Sequence, residues 1–332
     1  MRASAIIEVI KAAFESKAQR PIYVWGPPGV GKSSIVAAAG DALGVPVYDL
    51  RPVHYDPTDI RGIPIPKEGK AFWLPPSFLP ATGPGIMCLD ELNAAPPAVQ
   101  AAFYQLILDR RVGEYRLPDR ILVVAASNRA SDRAVTHRLS SALANRFEHI
   151  DFEHNIKDWT AWAQVKGIQP QVVAYLNFKP EQLFQFDPQR DERAFPSPRT
   201  WEYVSDVLTL GLSLDVQSEL IEGTVGKGAS SEFNSFIRLW GKLPDPDEIL
   251  VKGNFIVPPA LDLKYALVMA VIHRSDASTL LNAIKYASAL PPEFGVLLMQ
   301  GLVLRHPEAI LMDKAIDKEF NKWGKKNVDV LL

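Results

Sequence analysis

One cysteine in 332 residues cannot form an intramolecular disulfide and fits a reducing compartment. Cys88 stands inside the apolar run Ile86-Met87-Cys88-Leu89, where a small core residue is expected rather than a reactive thiol. No apolar run approaches the roughly 20 residues needed to cross a bilayer, so no membrane span is expected. An excess of one charge is lacking too. The formal net charge of −2 argues against a dominant non-specific nucleic-acid surface, though not against a local patch. The N-terminal stretch has Ile6, Ile7, Ile10 and Phe14 at helical spacing, interrupted by Glu8 and Lys11. That pattern predicts an amphipathic helix capped by Ser4 rather than a secretory leader, and a cytoplasmic protein is expected.

What is present is ordinary globular material, 47% hydrophobic and 22% charged, in a chain long enough for two or three units. Its central motif is Gly26-Pro27-Pro28-Gly29-Val30-Gly31-Lys32-Ser33, followed by Ser34. It follows the apolar run Ile22–Trp25 and opens a helical segment from Lys32 to Leu43. That order of strand, glycine turn and helix marks a Walker A phosphate loop for a nucleoside triphosphate. Glycines let backbone N–H groups converge on phosphate oxygens at a helix N-terminus. Lys32 can reach the β and γ oxygens, and the Ser33 hydroxyl can complete a Mg²⁺ shell.

Downstream, Pro46–Leu50 predicts a second strand. Eight of the 27 prolines then fall between Pro52 and Pro84, which excludes a long helix and predicts turns and edge hairpins. Within that stretch, Lys67–Lys70 reads as a turn between the arms Gly62–Pro66 and Ala71–Leu74. Ile86–Leu89 is apolar at every position, as a central parallel strand should be, and ends in Asp90-Glu91. A helix is expected from Pro97, with Val99, Phe103 and Leu106 on one face, running on to Gly113. Ile121–Ala126 is another all-apolar strand and ends at Ser127-Asn128. A further strand is expected at about His149–Phe152. Strands alternating with helices predict a parallel α/β sheet. Beyond about Asn155 the segments Asp158–Val165, Thr200–Leu210, Gln217–Ile221, Glu232–Trp240 and Ala260–Ile272 read as helices. The expected organisation is an α/β nucleotide-binding domain at 1–153 with an insert at about 52–84, a helical lid at 154–227 and a helical C-terminal extension at 228–332.

The acids at the end of a buried strand form the second half of a phosphate site, the Walker B element. Asp90 would hold Mg²⁺, and Glu91 would orient and polarise the attacking water. Asn128 closes the next strand, where an open parallel sheet gathers ligand contacts, although asparagines at strand ends also form turns. Arg146 could serve a neighbouring subunit or simply pair with Glu148, and Arg138 is a second candidate for that task. Arg199 begins a helix in the lid and could reach back to the phosphates. His149, Asp151 and Glu153 share one face of an extended strand, but without paired metal-ligand spacing they read as a polar sheet margin. Gly223–Gly228 lacks a preceding strand and reads as a turn between helices. Lys314–Lys326 reads as an amphipathic terminal helix that docks a neighbour.

The motifs GPPGVGKS, IMCLDELN, AASN, ALANRF and SPRTW, in this order, resemble those of the AAA+ ATPases. The segments HYDPTDIRG and FWLPPSFLPATGPGIMCLDELNAAPPAVQAAFYQLILDRRV look like those of the MoxR group, in the branch carrying an insert in its second helix. The resemblance covers about residues 20–210. It implies ATP bound with Mg²⁺ at the interfaces of a homo-oligomeric, hexameric ring. It further implies Asn128 as sensor 1, Arg146 as an arginine finger acting in trans and Arg199 as sensor 2. MoxR proteins are thought to act as chaperones for partners bearing a von Willebrand A domain. This chain carries no D-x-S-x-S motif, so such a partner would be a separate polypeptide. SNRASDRAVTHRLSSALANRF also resembles McrB-type GTPases, but no N-K-x-D guanine-reading motif is present, and ATP is expected. A nucleic-acid-remodelling motor of the same class is the alternative reading.

Overall fold

The structure, a computed structural model, describes residues 1–132, 137–190 and 192–327. The chain divides into two units, Met1–Asn155 with Asp187–Arg190, and Ile156–Phe186 with Asp191–Leu332.

The first unit is built on β1 (Ile22–Trp25), β2 (Val47–Leu50), β3 (Gly85–Asp90), β4 (Ile121–Ser127) and β5 (Glu148–Asp151). They form one sheet in the order β2-β3-β4-β1-β5, with every neighbouring pair parallel. β3 and β4 are buried at every position, which explains their unbroken apolar sequences. Side chains alternate between the two faces. On one face Tyr23, Met87, Leu89, Val123 and Ala125 share a core with Val99, Phe103 and Leu106 of helix α3 (Pro97–Asp109). Helices α1 (Ala3–Glu15) and α2 (Lys32–Leu43) pack on each other and on β4.

Two helix boundaries differ from expectation. The first intrahelical bond of α1 is accepted by the Arg2 carbonyl, so Arg2 is the cap and Ser4 lies within the first turn. Helix α3 stops at Asp109 rather than running to Gly113, because Arg110 turns into the left-handed region at φ 53°. The residues up to Gly113 instead enter a small hairpin that pairs Arg111–Val112 with Tyr115–Arg116. The proline-rich insert contains a short helix, Pro57–Arg61, and an antiparallel hairpin of Ile63–Lys67 with Lys70–Leu74. A short helix α4 (Ser141–Ala144) leads into β5.

The second unit is helical throughout its main elements. These are α5 (Ile156–Lys166), α6 (Pro170–Phe178), α7 (Pro198–Thr209), α8 (Leu214–Val225), α9 (Lys227–Trp240), α10 (Leu261–Arg274), α11 (Leu280–Ala287), α12 (Pro292–Arg305) and α13 (Lys314–Lys326). Gly226, at φ 82°, makes the turn between α8 and α9. One apolar core runs through Val172, Trp201, Phe233, Leu267, Phe294 and Trp323, so helices on both sides of residue 227 share it. The apolar face of α13 is used in this core through Ile316 and Trp323, with Trp323 seated over Gly295. Its amphipathic pattern therefore reports burial inside the unit, where the sequence suggested docking on a neighbour. Among the described residues no helix is long and apolar enough to cross a membrane.

Candidate nucleotide site

The C-terminal ends of β1, β3 and β4 lie side by side, which is where an open parallel sheet presents its ligand-contacting groups. Residues 26–31 leave β1 as a turn that is anchored when the Gly26 amide donates to the Ser127 carbonyl at 3.2 Å. Gly29 (φ 77°) and Gly31 (φ 97°) hold left-handed backbone, which turns neighbouring amides towards one concave side. Gly31 caps α2, so the loop sits over the positive end of a helix dipole. Pro27 and Pro28 shape this turn, Val30 is buried beneath it and Ser34 is exposed beyond it.

Lys32 folds back over the loop and is 9% exposed. Its ammonium donates to the carbonyls of Gly26 and Pro27, each at 2.9 Å, and to Asn128 Oδ1 at 2.8 Å. Asn128 is thereby joined to the loop in space, 96 positions along the chain from Lys32. The Ser33 hydroxyl donates to Asp90 Oδ2 at 2.7 Å, joining the Walker A and Walker B elements. Asp90 Oδ1 accepts the Glu91 amide at 3.1 Å, and the same amide reaches the Ala126 carbonyl at 2.7 Å. Glu91 adopts φ 56°, a left-handed conformation that costs an ordinary residue about 1–2 kcal/mol. This conformation ends the strand abruptly and leaves Glu91 exposed beside a buried Asp90.

Several supporting groups are not marked by any motif. Asn93 is buried; its side chain donates to the Asn128 carbonyl at 2.9 Å, and its amide donates to Ser127 Oγ at 3.3 Å. Ser127 Oγ also pairs with the Tyr23 hydroxyl at 2.8 Å, and burial pushes the Tyr23 hydroxyl pKa well up. A phenol in a short apolar strand, and an amide two residues after the acids, were the available signals. Asp49 on the edge strand faces the same side as Cys88 and Asp90. Burial, and then the charge of Asp90, raise its pKa, while Arg51 opposes the shift.

Arg146 follows α4, is exposed, and makes no ion pair or side-chain hydrogen bond among the described residues. Glu148, its possible partner, pairs instead with Arg20 at 3.3 Å. Arg138 is exposed as well, next to residues 133–136, which lie outside the described residues. Arg199 stands in the second unit in the first turn of α7, behind a capping box of Ser197 and Thr200, and is exposed. No cluster of metal-ligating side chains involving His149, Asp151 and Glu153 is found among the described residues. His149 is occupied otherwise: its Nδ1 accepts from Trp25 Nε1 at 2.8 Å.

The family model described as the AAA domain of the dynein-related subfamily matches residues 21–147. A midasin from Giardia intestinalis is 31% identical over 144 residues, which cover 40% of this chain and 3% of midasin. Among solved structures, NtrX from Brucella abortus matches over 96% of this chain and 67% of its own, at 15% identity and a TM-score of 0.42. A protein from Cytophaga hutchinsonii matches over 96% of this chain and 88% of its own, at 15% identity and a TM-score of 0.37.

Proposed function

We propose that this chain is an ATPase whose complete site forms between two copies. The observation that carries this reading is the convergence of Lys32, Asn128, Ser33 and Asp90 through hydrogen bonds of 2.7–2.8 Å at one end of the sheet. The loop amides and Lys32 bind the β and γ phosphates, and Asn128 marks the position of the γ-phosphate. A hydroxyl and a carboxylate oxygen 2.7 Å apart are the hard oxygen donors that Mg²⁺ prefers, so Ser33 and Asp90 fit that ion. When bound, Mg²⁺ supplies charge neutralisation at the β and γ oxygens.

Glu91 orients a water towards the γ-phosphorus and accepts its proton as the new P–O bond forms. The bond to the β,γ-bridging oxygen breaks, and ADP and phosphate leave. Arg146, unpaired within its own chain among the described residues, stabilises the charge on a neighbour's γ-phosphate, and Arg199 follows nucleotide state from the lid. The motif set supports a MoxR-like ring, hexameric in form, that remodels a client protein. A separate von Willebrand A-type protein is the client that the resemblance suggests.

Phosphate release tests the reading. Glu91→Gln should cut turnover about 10²- to 10⁴-fold with ATP still bound, and undiminished turnover would remove Glu91 from its role. Mixing inactive Arg146→Ala and Glu91→Gln chains should restore activity, because an intact loop then meets an intact arginine. Turnover stimulated by DNA or RNA and weakened steeply by salt would point instead to a nucleic-acid motor.

A further inference from the structure

Trp25 is the last residue of β1 and immediately precedes Gly26. An indole N–H can only donate, so the nitrogen it meets, His149 Nδ1 at 2.8 Å, must accept. This places the ring proton on His149 Nε2, which donates to the Ala144 carbonyl at 2.8 Å. Ala144 ends α4, and Arg146 is two residues further on. The rings reinforce this arrangement. Tyr23 and Trp25 stack at 4.1 Å, His149 lies over both at 5.7 and 6.0 Å, and Phe147 meets Tyr23 edge-on at 4.9 Å. Leu143 and Phe147 bury themselves on either side of the exposed Arg146. Trp25 also leads into the Gly26 carbonyl that holds the Lys32 ammonium.

We propose that His149 is a positioning residue that ties the phosphate loop of one site to the arginine presented to the next, through Trp25 on one ring nitrogen and Ala144 on the other. The inference rests on Arg146 acting in trans. The relay fixes the end of α4, and so the direction in which Arg146 leaves the subunit. It also makes the seat of the loop, at Trp25-Gly26, sensitive to that direction.

The test uses full-length chains in the mixed assay. Glu91→Gln chains donate the arginine, Arg146→Ala chains supply the working loop, and His149→Phe is placed in one or the other. Phenylalanine keeps a ring against Tyr23 and Trp25 but removes both hydrogen bonds. In the arginine donor it should lower the restored activity about ten- to a hundred-fold, the scale expected of an ångström-sized misplacement. In the loop donor the loss should be several-fold smaller. His149→Gln, whose amide can accept from Trp25 and donate to Ala144, should recover most of the loss. Equal losses from either chain, or no loss from the arginine donor, would overturn the relay. If the mixture without any His149 change showed no activity, Arg146 would not act in trans and both readings would fall.

Discussion

A proton on His306 would have to enter a crowded place. Its Nε2 lies 3.0 Å from Ser275 Oγ and 3.1 Å from the Ser275 carbonyl. Burial holds its pKa below the ordinary value, with Arg305 adding to the shift and the Ser275 bond opposing it. His273 is lowered as well, first by burial and then by Arg305. In the unfolded chain both should titrate near 6.5. As pH falls through that value the unfolded chain takes up protons that the folded unit resists, so stability falls with acidification and levels off above it. The urea midpoint should hold steady from pH 8 to 7 and drop towards pH 5. His306→Gln should reduce the drop, and a flat or rising midpoint in the wild type would contradict this assignment.

At the scale of elements, α2 must lie close to β2 if its N-terminus is to sit beneath the phosphate loop. Gly40 permits this, because a Cβ there would stand 2.3 Å from Val47 Cγ2 and 3.2 Å from the Val45 carbonyl. Gly40→Ala should therefore destabilise the first unit by about 1–3 kcal/mol despite alanine's better helix propensity. Adding Val47→Ala should return part of that loss, as denaturant unfolding of the two variants would show. Equal stability of Gly40→Ala and wild type would mean that the helix is not held this close.

The elements most legible in the sequence were those with a strong local cause. β3 and β4 are buried on both faces and so read as apolar runs, and the glycine loop announced α2 to the residue. The hairpin at Arg111–Arg116 was not legible, since two-residue strands have no period and Arg110 occupies a conformation usually left to glycine. The site divided in the same way. Residues within a motif could be named in advance, whereas Tyr23 with Ser127 and Trp25 with His149 meet across 104 and 124 positions, where only strand order brings them together.

For the whole molecule, the second unit matters because its core crosses the boundary that the sequence suggested. Phe233, Leu267, Phe294 and Trp323 share one core with Val172 and Trp201. A fragment of residues 154–227 would expose apolar surface normally covered by later helices, and it should remain largely unfolded. A fragment of residues 156–332 should be helical and unfold cooperatively. Circular dichroism and thermal melts of the two would check this, and a cooperative melt of the shorter piece would make residues 154–227 an autonomous lid.

The complete burial of β4 between two parallel neighbours also sets a hierarchy of timescales. Its amides are shielded on both faces and at both edges, so exchange with solvent hydrogen there requires the whole unit to open. Among the described residues the strands Ile63–Lys67 and Lys70–Leu74 pair only with each other, the Trp73 amide reaches Glu114 Oε2 at a long 3.4 Å, and Ile63 is 70% exposed, so this hairpin can open without β4. Asn128 and Ser127 are fixed to the slowest-opening strand, and the insert belongs to the fast-opening edge. The clock of the strand that carries Asn128 is thus mechanically separate from the one that governs the insert.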